Sequence, residues 1–220
     1  MNQPESHDAL GLERIVFFSD AVFAIAITLL VLEIKPPHLE QFSESSLRHH
    51  LLQLLPKFSG FVVSFLIIGS MWIEHHRIFR FIRRYDAGLL WRNIIFLLTV
   101  SFIPFPTAVF SEYFWSRTAF ILYAASFAGV ALTKLWVWRY TVSQVNLMEE
   151  SVDKAALKRI SRRSLAVPIG CGAAIILSLV SVFMAPMGFI LIPVIARLLD
   201  PTRNKKDKRQ VQVVAGGGPV

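Results

Sequence analysis

The sequence predicts an all-helical integral membrane protein with six transmembrane helices in each subunit. Hydrophobic residues make up 54% of the 220 residues, charged residues make up only 17%, and the mean hydropathy is +0.53. An ordinary soluble domain carries more charge, so this composition excludes that class. The apolar residues also concentrate in separate runs, most of them close to the length of about 20 residues that a helix needs to cross the hydrocarbon core.

These apolar runs set the predicted boundaries of the helices. The last run is the least regular, because two prolines and a glycine interrupt it. We expect a cytoplasmic segment at 1–12, a six-helix transmembrane domain at 13–200 and a disordered basic tail at 201–220, whose charge and glycine content oppose burial. The six runs lie near residues 13–34, 51–74, 89–110, 117–138, 164–184 and 186–200.

The distribution of basic residues predicts the orientation of the helices. Arginines and lysines cluster in the loops after the second and fourth runs and in the C-terminal tail. Because cytoplasmic loops are enriched in these residues, six helices place both termini in the cytoplasm. The formal net charge of +8 is therefore explained by topology. We expect no nucleic-acid partner, since no basic stripe follows a polar helix.

The first run carries polar residues that a membrane helix tolerates only for a reason. Ser19 and Asp20 lie near its start, and an ionisable residue inside an apolar run usually has a function. At about 100° per residue they point toward the other helices, as a hydrogen-bonding node would. A helix N-cap is the alternative interpretation of this pair. The opposite face is either lipid-facing, part of a core or the lining of a pore, and it comprises Arg14, Phe18, Ala21, Ile25, Thr28, Leu29 and Leu32.

A second polar cluster lies at the cytoplasmic end of the second run. Trp72, Glu74, His75 and His76 are at the depth of Asp20, where a carboxylate can meet a cationic or polar group that hydrocarbon cannot solvate. A basic and aromatic belt facing the lipid headgroups is the alternative interpretation. Adjacent histidines point to different faces of a helix, so they lack the i, i+4 spacing of a helical zinc site, and we predict no metal.

The third and fourth runs add three further signals. Asn93 is either another hydrogen-bonding partner for this cluster or an interfacial amide at the start of its helix. Pro104 and Pro106 remove backbone donors, so they should kink or end the third helix. Lys134 lies near the cytoplasmic boundary of the fourth run, where snorkelling to the headgroups accounts for it.

Motifs of enzyme chemistry are absent from the sequence. It has no P-loop, no nucleophile elbow, no dinucleotide-binding glycine motif and no paired carboxylates inside a run. Its single cysteine, Cys171, excludes an intrachain disulfide. The potassium-filter sequence TVGYG is missing too, so an ion that crosses must be selected by another device. We expect neither enzyme activity nor a cofactor.

Three motifs occur in the first three runs. They are R-x-x-x-F-S-D from Arg14 to Asp20, W-x-x-H-H-R-x-F-R from Trp72 to Arg80, and N-x-x-F-L-x-x-x-S-F-x-P-F-P-T from Asn93 to Thr107. Together they resemble the prokaryotic branch of the transmembrane protein 175 family, which comprises endosomal and lysosomal potassium channels and their bacterial relatives. The likeness covers nearly all of residues 12–200, and the first motif at the start of the first run is specific.

This resemblance implies a homotetramer in which the first helix of each subunit lines a central pore without a carbonyl filter. Counted from the F-S-D motif, the hydrophobic constriction falls on Ile25, with further pore layers at Leu29 and Leu32 and a hydroxyl at Thr28. Spacing does not decide which of two adjacent histidines joins the network that holds the first helix. The residues implied for that network are Arg14, Phe18, Ser19, Asp20, Trp72, His75, His76 and Asn93.

The expected function is a passive cation channel that prefers potassium modestly over sodium, with potassium ions and membrane lipids as its partners. A ring of isoleucines offers no ligand to replace the water shell of an ion, so conduction should depend on pore width, hydration and dewetting. Hydroxyl contacts from four copies of Thr28 are a hypothesis for the potassium preference. The alternatives are a proton channel through the same pore and a non-conducting scaffold whose basic loops bind a partner.

Overall fold

The computed structural model describes residues 3–39, 42–148 and 154–199. Within these ranges the chain forms nine α-helices and two short 3₁₀ turns, Leu30–Glu33 and Val145–Leu147. The tail predicted to be disordered, 201–220, lies outside the described residues. The helices are α1 Gln3–Leu29, α2 Glu44–Gln53, α3 Leu55–Phe79, α4 Ala87–Phe102, α5 Pro104–Glu112, α6 Arg117–Ser143, α7 Lys154–Arg163, α8 Ala166–Val180 and α9 Met187–Leu199.

Among the described residues, five helical segments are long and apolar enough to cross a membrane, as expected of an all-helical, multi-pass membrane protein. The sixth predicted run forms α9, which has only 13 residues. At 1.5 Å per residue α9 extends about 20 Å, less than the hydrocarbon core of roughly 30 Å. The described chain therefore has five full-length segments and one short apolar helix. The five segments are Asp8–Glu33, Leu55–Phe79, Ala87–Glu112, Arg117–Ser143 and Ile160–Val180.

The first helix is longer than its apolar run. It begins at Gln3, so residues 3–12 continue α1 beyond the predicted start of the first run. The extension packs on the loop that follows α3: Asp8 forms an ion pair with Arg84 at 3.6 Å, and a Cβ added at Gly11 would lie 2.3 Å from the Tyr85 ring. A larger residue at this position would therefore displace the Tyr85 ring from the helix.

Proline breaks the third predicted run, as expected. α4 ends at Phe102 and α5 begins at Pro104, so the break falls at Ile103. Pro104 and Pro106 have no backbone N–H to continue the α4 ladder. The two helices still form one apolar segment, because Ile103 keeps right-handed helical angles of −56° and −36°.

Helix packing places α1 at one side of the bundle. α4 lies between α1 and α6, while α3 packs against α1 and α5, and α8 packs against α6 and α9. Small residues allow the last two helices to meet closely, because a Cβ added at Gly188 would lie only 2.4 Å from the Ala174 Cα. We call the half of the bundle that contains Ser19 and Asn93 the inner half, and the half that contains Leu30 and Thr107 the outer half, after the predicted orientation.

Candidate pore helix and its polar contacts

One face of α1 is exposed in the part of the chain that the structure describes. Ile25 is 57% exposed and Leu32 is 66% exposed, and the other residues predicted to line a pore, Thr28 and Leu29, are exposed with them. Phe18 and Arg14 continue this exposed face toward the inner end. The chain thus presents a continuous, mostly apolar helix face that is available to lipid or to other subunits. We call it the exposed α1 face.

The Thr28 hydroxyl is the polar group in the middle of this face. Its Oγ1 donates to the backbone oxygens of Ala24 and Ile25, both at 3.0 Å. Since a hydroxyl has one proton, this bond leaves the oxygen lone pairs directed away from the helix axis. Thr28 can therefore act toward an external ligand as an acceptor, which is what a cation requires.

The opposite face of α1 is buried against α3, α4 and α5. Its residues recur at intervals of three or four, the spacing of one side of a helix. Ser19 is fully buried within this stripe, so it lies in the interior of α1 and does not cap it. The buried residues are Ile15, Ser19, Phe23, Ala26 and Leu30.

A directed chain of hydrogen bonds ties α1 to α4 and α3 in the inner half. His75 Nε2 donates to Asn93 Oδ1 at 3.0 Å, because a carbonyl oxygen can only accept. Asn93 Nδ2 donates to Ser19 Oγ at 3.0 Å, and Ser19 Oγ donates to the backbone oxygen of Ile15 at 2.8 Å. We call this series the inner chain. All three of its side chains are buried.

Aromatic rings enclose the histidine of the inner chain. His75 stacks on Phe96 with ring centroids 5.5 Å apart and an interplanar angle of 7°, and it contacts Phe79 and Phe23. Its Nδ1 is buried and has no hydrogen-bond partner among the described residues. The rings fix the plane of the imidazole, so its one polar contact is the bond to Asn93.

A second bond reaches α1 from the exposed side of α3. Trp72 Nε1 donates to Asp20 Oδ1 at 2.7 Å. His76 is exposed and contacts the Trp72 ring. Of the two adjacent histidines, His75 is thus the one that bonds to the α1 network. Within the described residues, Arg14 and His76 make no side-chain hydrogen bond or ion pair, so one chain alone does not bring them into the inner chain.

The structure corrects the expectation for Lys134. Its side chain is only 3% exposed, and it forms an ion pair with Glu74 of α3 rather than reaching the headgroups. Burial of an ammonium requires such a partner, because hydrocarbon does not solvate it. The sequence signal that points to this pair is a lysine and a glutamate placed at the same depth of two apolar runs.

A second directed chain lies in the outer half and was not predicted. Thr107 Oγ1 donates to the Ile103 oxygen at 2.9 Å, so it accepts from Ser64 Oγ at 3.0 Å, and Ser64 in turn accepts from the Tyr123 hydroxyl at 3.0 Å. We call this series the outer chain. It joins α5, α3 and α6, and it does not include α1. Its signal in the sequence is one hydroxyl residue inside each of three apolar runs.

The outer end of α1 borders a small cavity. It has a volume of about 30 Å³ and lies between the turn after α1, the start of α3 and the end of α5. Lys57 and Glu112 form an ion pair of 2.5 Å at its edge. The Ser111 Oγ is buried there without a partner among the described residues. The other lining residues are Leu30, Glu33, Ile34, Phe61, Thr107 and Ala108.

The loop after α3 contributes a helix cap at the inner end. Asp86 accepts from the Leu89 N–H at 2.7 Å and from the Tyr140 hydroxyl at 2.6 Å. Burial raises the pKa of Asp86, but these two hydrogen bonds and the nearby Arg92 outweigh it and lower the pKa below its ordinary value of 3.8. The carboxylate therefore stays ionised while it holds α4 to α6.

The sequence also matches a known family and its members. A family model described as "Endosomal/lysosomal potassium channel TMEM175" matches residues 14–104. A potassium channel of Chamaesiphon minutus is 37% identical over 175 residues, which cover 78% of this chain and 86% of that protein. The chain belongs to the TMEM175 family. The resemblance drawn from the three motifs is confirmed, and the family consists of ion channels and not of enzymes.

More distant TMEM175 relatives include a channel with a different named ion. A potassium channel of Streptomyces collinus is 36% identical over 171 residues, covering 74% of this chain and 82% of that protein. The endosomal/lysosomal proton channel TMEM175 of Homo sapiens is 23% identical over 185 residues, covering 81% of this chain and 36% of that protein. Both potassium and proton channels are thus named among the relatives.

Solved TMEM175 structures share the fold. A lysosomal potassium-selective channel TMEM175 homolog from Chamaesiphon minutus superimposes with a TM-score of 0.75 and 34% identity, over 86% of this chain and 98% of that chain. A point variant of the potassium channel MtTMEM175 gives a TM-score of 0.63 at 18% identity, over 87% of this chain and 93% of that chain. At that identity the second match supports the fold alone.

Proposed function

We propose that this protein is a passive cation channel that prefers potassium over sodium and works as a homotetramer. The observation that carries the proposal is the exposed α1 face. It is a long apolar strip that stays exposed in the described part of the chain, and the Thr28 hydroxyl lies at its centre. The relatives named potassium channels support the choice of ion. Four such faces around a symmetry axis would form a pore whose lining has one hydroxyl layer at Thr28.

In this arrangement Ile25 forms the constriction. Four isoleucine side chains cannot replace the hydration shell of an ion, so the ring selects by width and by the cost of wetting it. Thr28 lies one helical turn further out, and its free lone pairs face the same side. It contributes oxygen contacts to a partly hydrated potassium ion, while Leu29 and Leu32 form further apolar layers of the lining toward the outer end.

The proposal includes location and orientation. The protein lies in the inner membrane with both termini in the cytoplasm, because the basic residues cluster after the second and fourth runs. This orientation puts the inner chain at the cytoplasmic side of the pore helix. The hydrogen bonds to Ser19 and Asp20 then anchor α1 at the cytoplasmic mouth of the pore.

Ion flux in liposomes tests the proposal. Purified protein should pass potassium faster than sodium, and Ile25→Asn should change that flux because it replaces the apolar ring with amides. The matched control is Ile176→Asn, which alters an isoleucine of similar exposure on α8, far along the chain from the α1 face. Unchanged flux in Ile25→Asn, or an equal change in both variants, would contradict a constriction at Ile25. Thr28→Val should lower the potassium preference in the same assay.

A proton channel through the same pore is the second candidate. The human relative is named a proton channel, which is the observation that favours it. The liposome assay separates the two functions when a proton gradient and a potassium gradient are imposed in turn. Absence of flux under every gradient would instead favour a non-conducting scaffold.

A further inference from the structure

The ion pair between Lys134 and Glu74 lies at the level of the inner chain but is not part of it. Lys134 projects from α6, and its side chain is 3% exposed, whereas that of Glu74 on α3 is 43% exposed. In the packing order, α4 lies between α1 and α6, and α3 packs mainly against α1 and α5. The ion pair therefore connects two helices that do not pack closely along their length, as the Ser64–Tyr123 bond of the outer chain also does.

The inner end of α3 holds three connections within four residues. Trp72 bonds to Asp20 of α1 and His75 bonds to Asn93 of α4, while Glu74 binds Lys134 of α6. Because successive residues turn by about 100° around a helix, these side chains leave α3 in different directions. Three bonds in different directions fix both the rotation and the position of this end of α3.

We propose that Lys134 is a positioning residue for the pore helix. Its ammonium holds Glu74, and through it the end of α3, in the place from which Trp72 and His75 reach α1. The inference rests on the proposed function, since it assigns to α1 the lining of a pore. Lys134 acts on conduction through α3 and does not itself touch the exposed α1 face.

The energetics determine which variants can test this role. Removing Glu74 alone leaves a buried ammonium without a partner, which is strongly destabilising. Replacing both charges with neutral side chains of similar size avoids that penalty. The test variant is therefore Glu74→Gln with Lys134→Met. Lys134→Met alone is the second variant, because the half-exposed Glu74 that it leaves can still be solvated.

Potassium flux in liposomes, together with the thermal stability of the same preparations, provides the readout. Both variants should reduce flux at least about fivefold, the lower range of a typical coupling between sites. The matched control is Lys57→Met with Glu112→Gln, an ion pair that ties α3 to α5 at the outer end. It should keep the flux of the wild type, even if its stability falls equally.

A coupling measurement separates positioning from general destabilisation. Trp72→Phe removes the donor to Asp20 and keeps an aromatic ring at this position, so its effect on flux should largely disappear in the background that lacks the ion pair. Additive effects, or inner-pair variants that conduct like the control pair, would overturn the positioning role while leaving the channel proposal intact. A wild-type protein that passes no ion would overturn both.

Discussion

The inner and outer halves of the bundle are built alike but hold the first helix differently. Each half contains a directed series of donors that ends on a helix carbonyl, at Ile15 in the inner chain and at Ile103 in the outer chain. Only the inner chain includes α1. In the outer half the first helix and the turn after it are held by apolar packing at Ala26 and Leu30, beside the small cavity.

This difference shows how one end of a helix can be fixed by hydrogen bonds while the rest is held by apolar contacts that allow small shifts. Hydrogen bonds are directional, so the inner chain and the Trp72 bond fix the rotation of α1 at Ser19 and Asp20. Apolar contacts are not directional and tolerate small shifts. In the described residues, no side-chain hydrogen bond or ion pair joins α1 beyond Asp20 to another helix. The proposed constriction at Ile25 lies in this second, adjustable part.

The variant with the largest expected effect is Asn93→Leu, which interrupts the inner chain at its central residue. The change removes the acceptor of His75 Nε2 and leaves the imidazole with no polar partner. We expect the free energy of unfolding to fall by about 2 to 3 kcal/mol, the cost of an orphaned buried group plus a lost interhelical bond. Denaturation in detergent micelles measures it, and a loss no larger than that of an exposed Leu98→Ala change would contradict the prediction.

The corresponding change in the outer chain should be milder. Thr107→Val keeps the shape of the side chain and removes one hydroxyl, after which Ser64 still accepts from Tyr123. We expect a loss of about 0.6 kcal/mol, the average for a side-chain hydrogen bond within a membrane. Potassium flux should stay at the wild-type level, because none of the hydrogen bonds of the outer chain reaches α1. Flux that falls well below the wild-type level would contradict the distinction between the two halves.

The smallest change in the free energy of unfolding is expected for a variant of Asp86 at the inner end. Asp86→Asn keeps an N-cap for α4 but removes the charge, at a cost of about 0.5 kcal/mol near neutral pH. Because the folded-state pKa of Asp86 is lowered, its contribution is present above the ordinary value of 3.8 and is lost as the pH falls through the lower, folded-state pKa. Unfolding of both proteins from pH 7 down to pH 3 should therefore show their difference shrinking. A difference that grows as the pH falls would contradict a lowered folded-state pKa of Asp86.

Much of the helical architecture follows from the sequence because membrane spans have a strong signature. Apolar runs fix the approximate place of each helix, and the prolines fix the break after Phe102. The start of α1 at Gln3 was not predictable in this way, because residues 3–12 are polar and their helix is supported by contacts such as Asp8 with Arg84. The 13-residue length of α9 depends on how its hairpin closes, which hydropathy does not specify.

The polar contacts were predictable only in part. Ser19, Asp20 and Asn93 stand out because each is a polar residue in an apolar run. Which partner each one takes depends on the rotation of neighbouring helices, so the pairing of His75 with Asn93 required the structure. The outer chain gave a weaker signal in the sequence, because the hydroxyl of a serine or threonine often donates to a backbone oxygen of its own helix, as Thr28 does.

The short ninth helix has a consequence for the lipids around the protein. With about 20 Å of apolar length against a hydrocarbon core of roughly 30 Å, α9 creates a hydrophobic mismatch along its edge of the bundle. The 26-residue segment that contains α1 has no such deficit. Thinning of the bilayer beside α9 would relieve this mismatch, so we expect that edge to recruit lipids with short or unsaturated acyl chains. Mass spectrometry of co-purified lipids would reveal this enrichment.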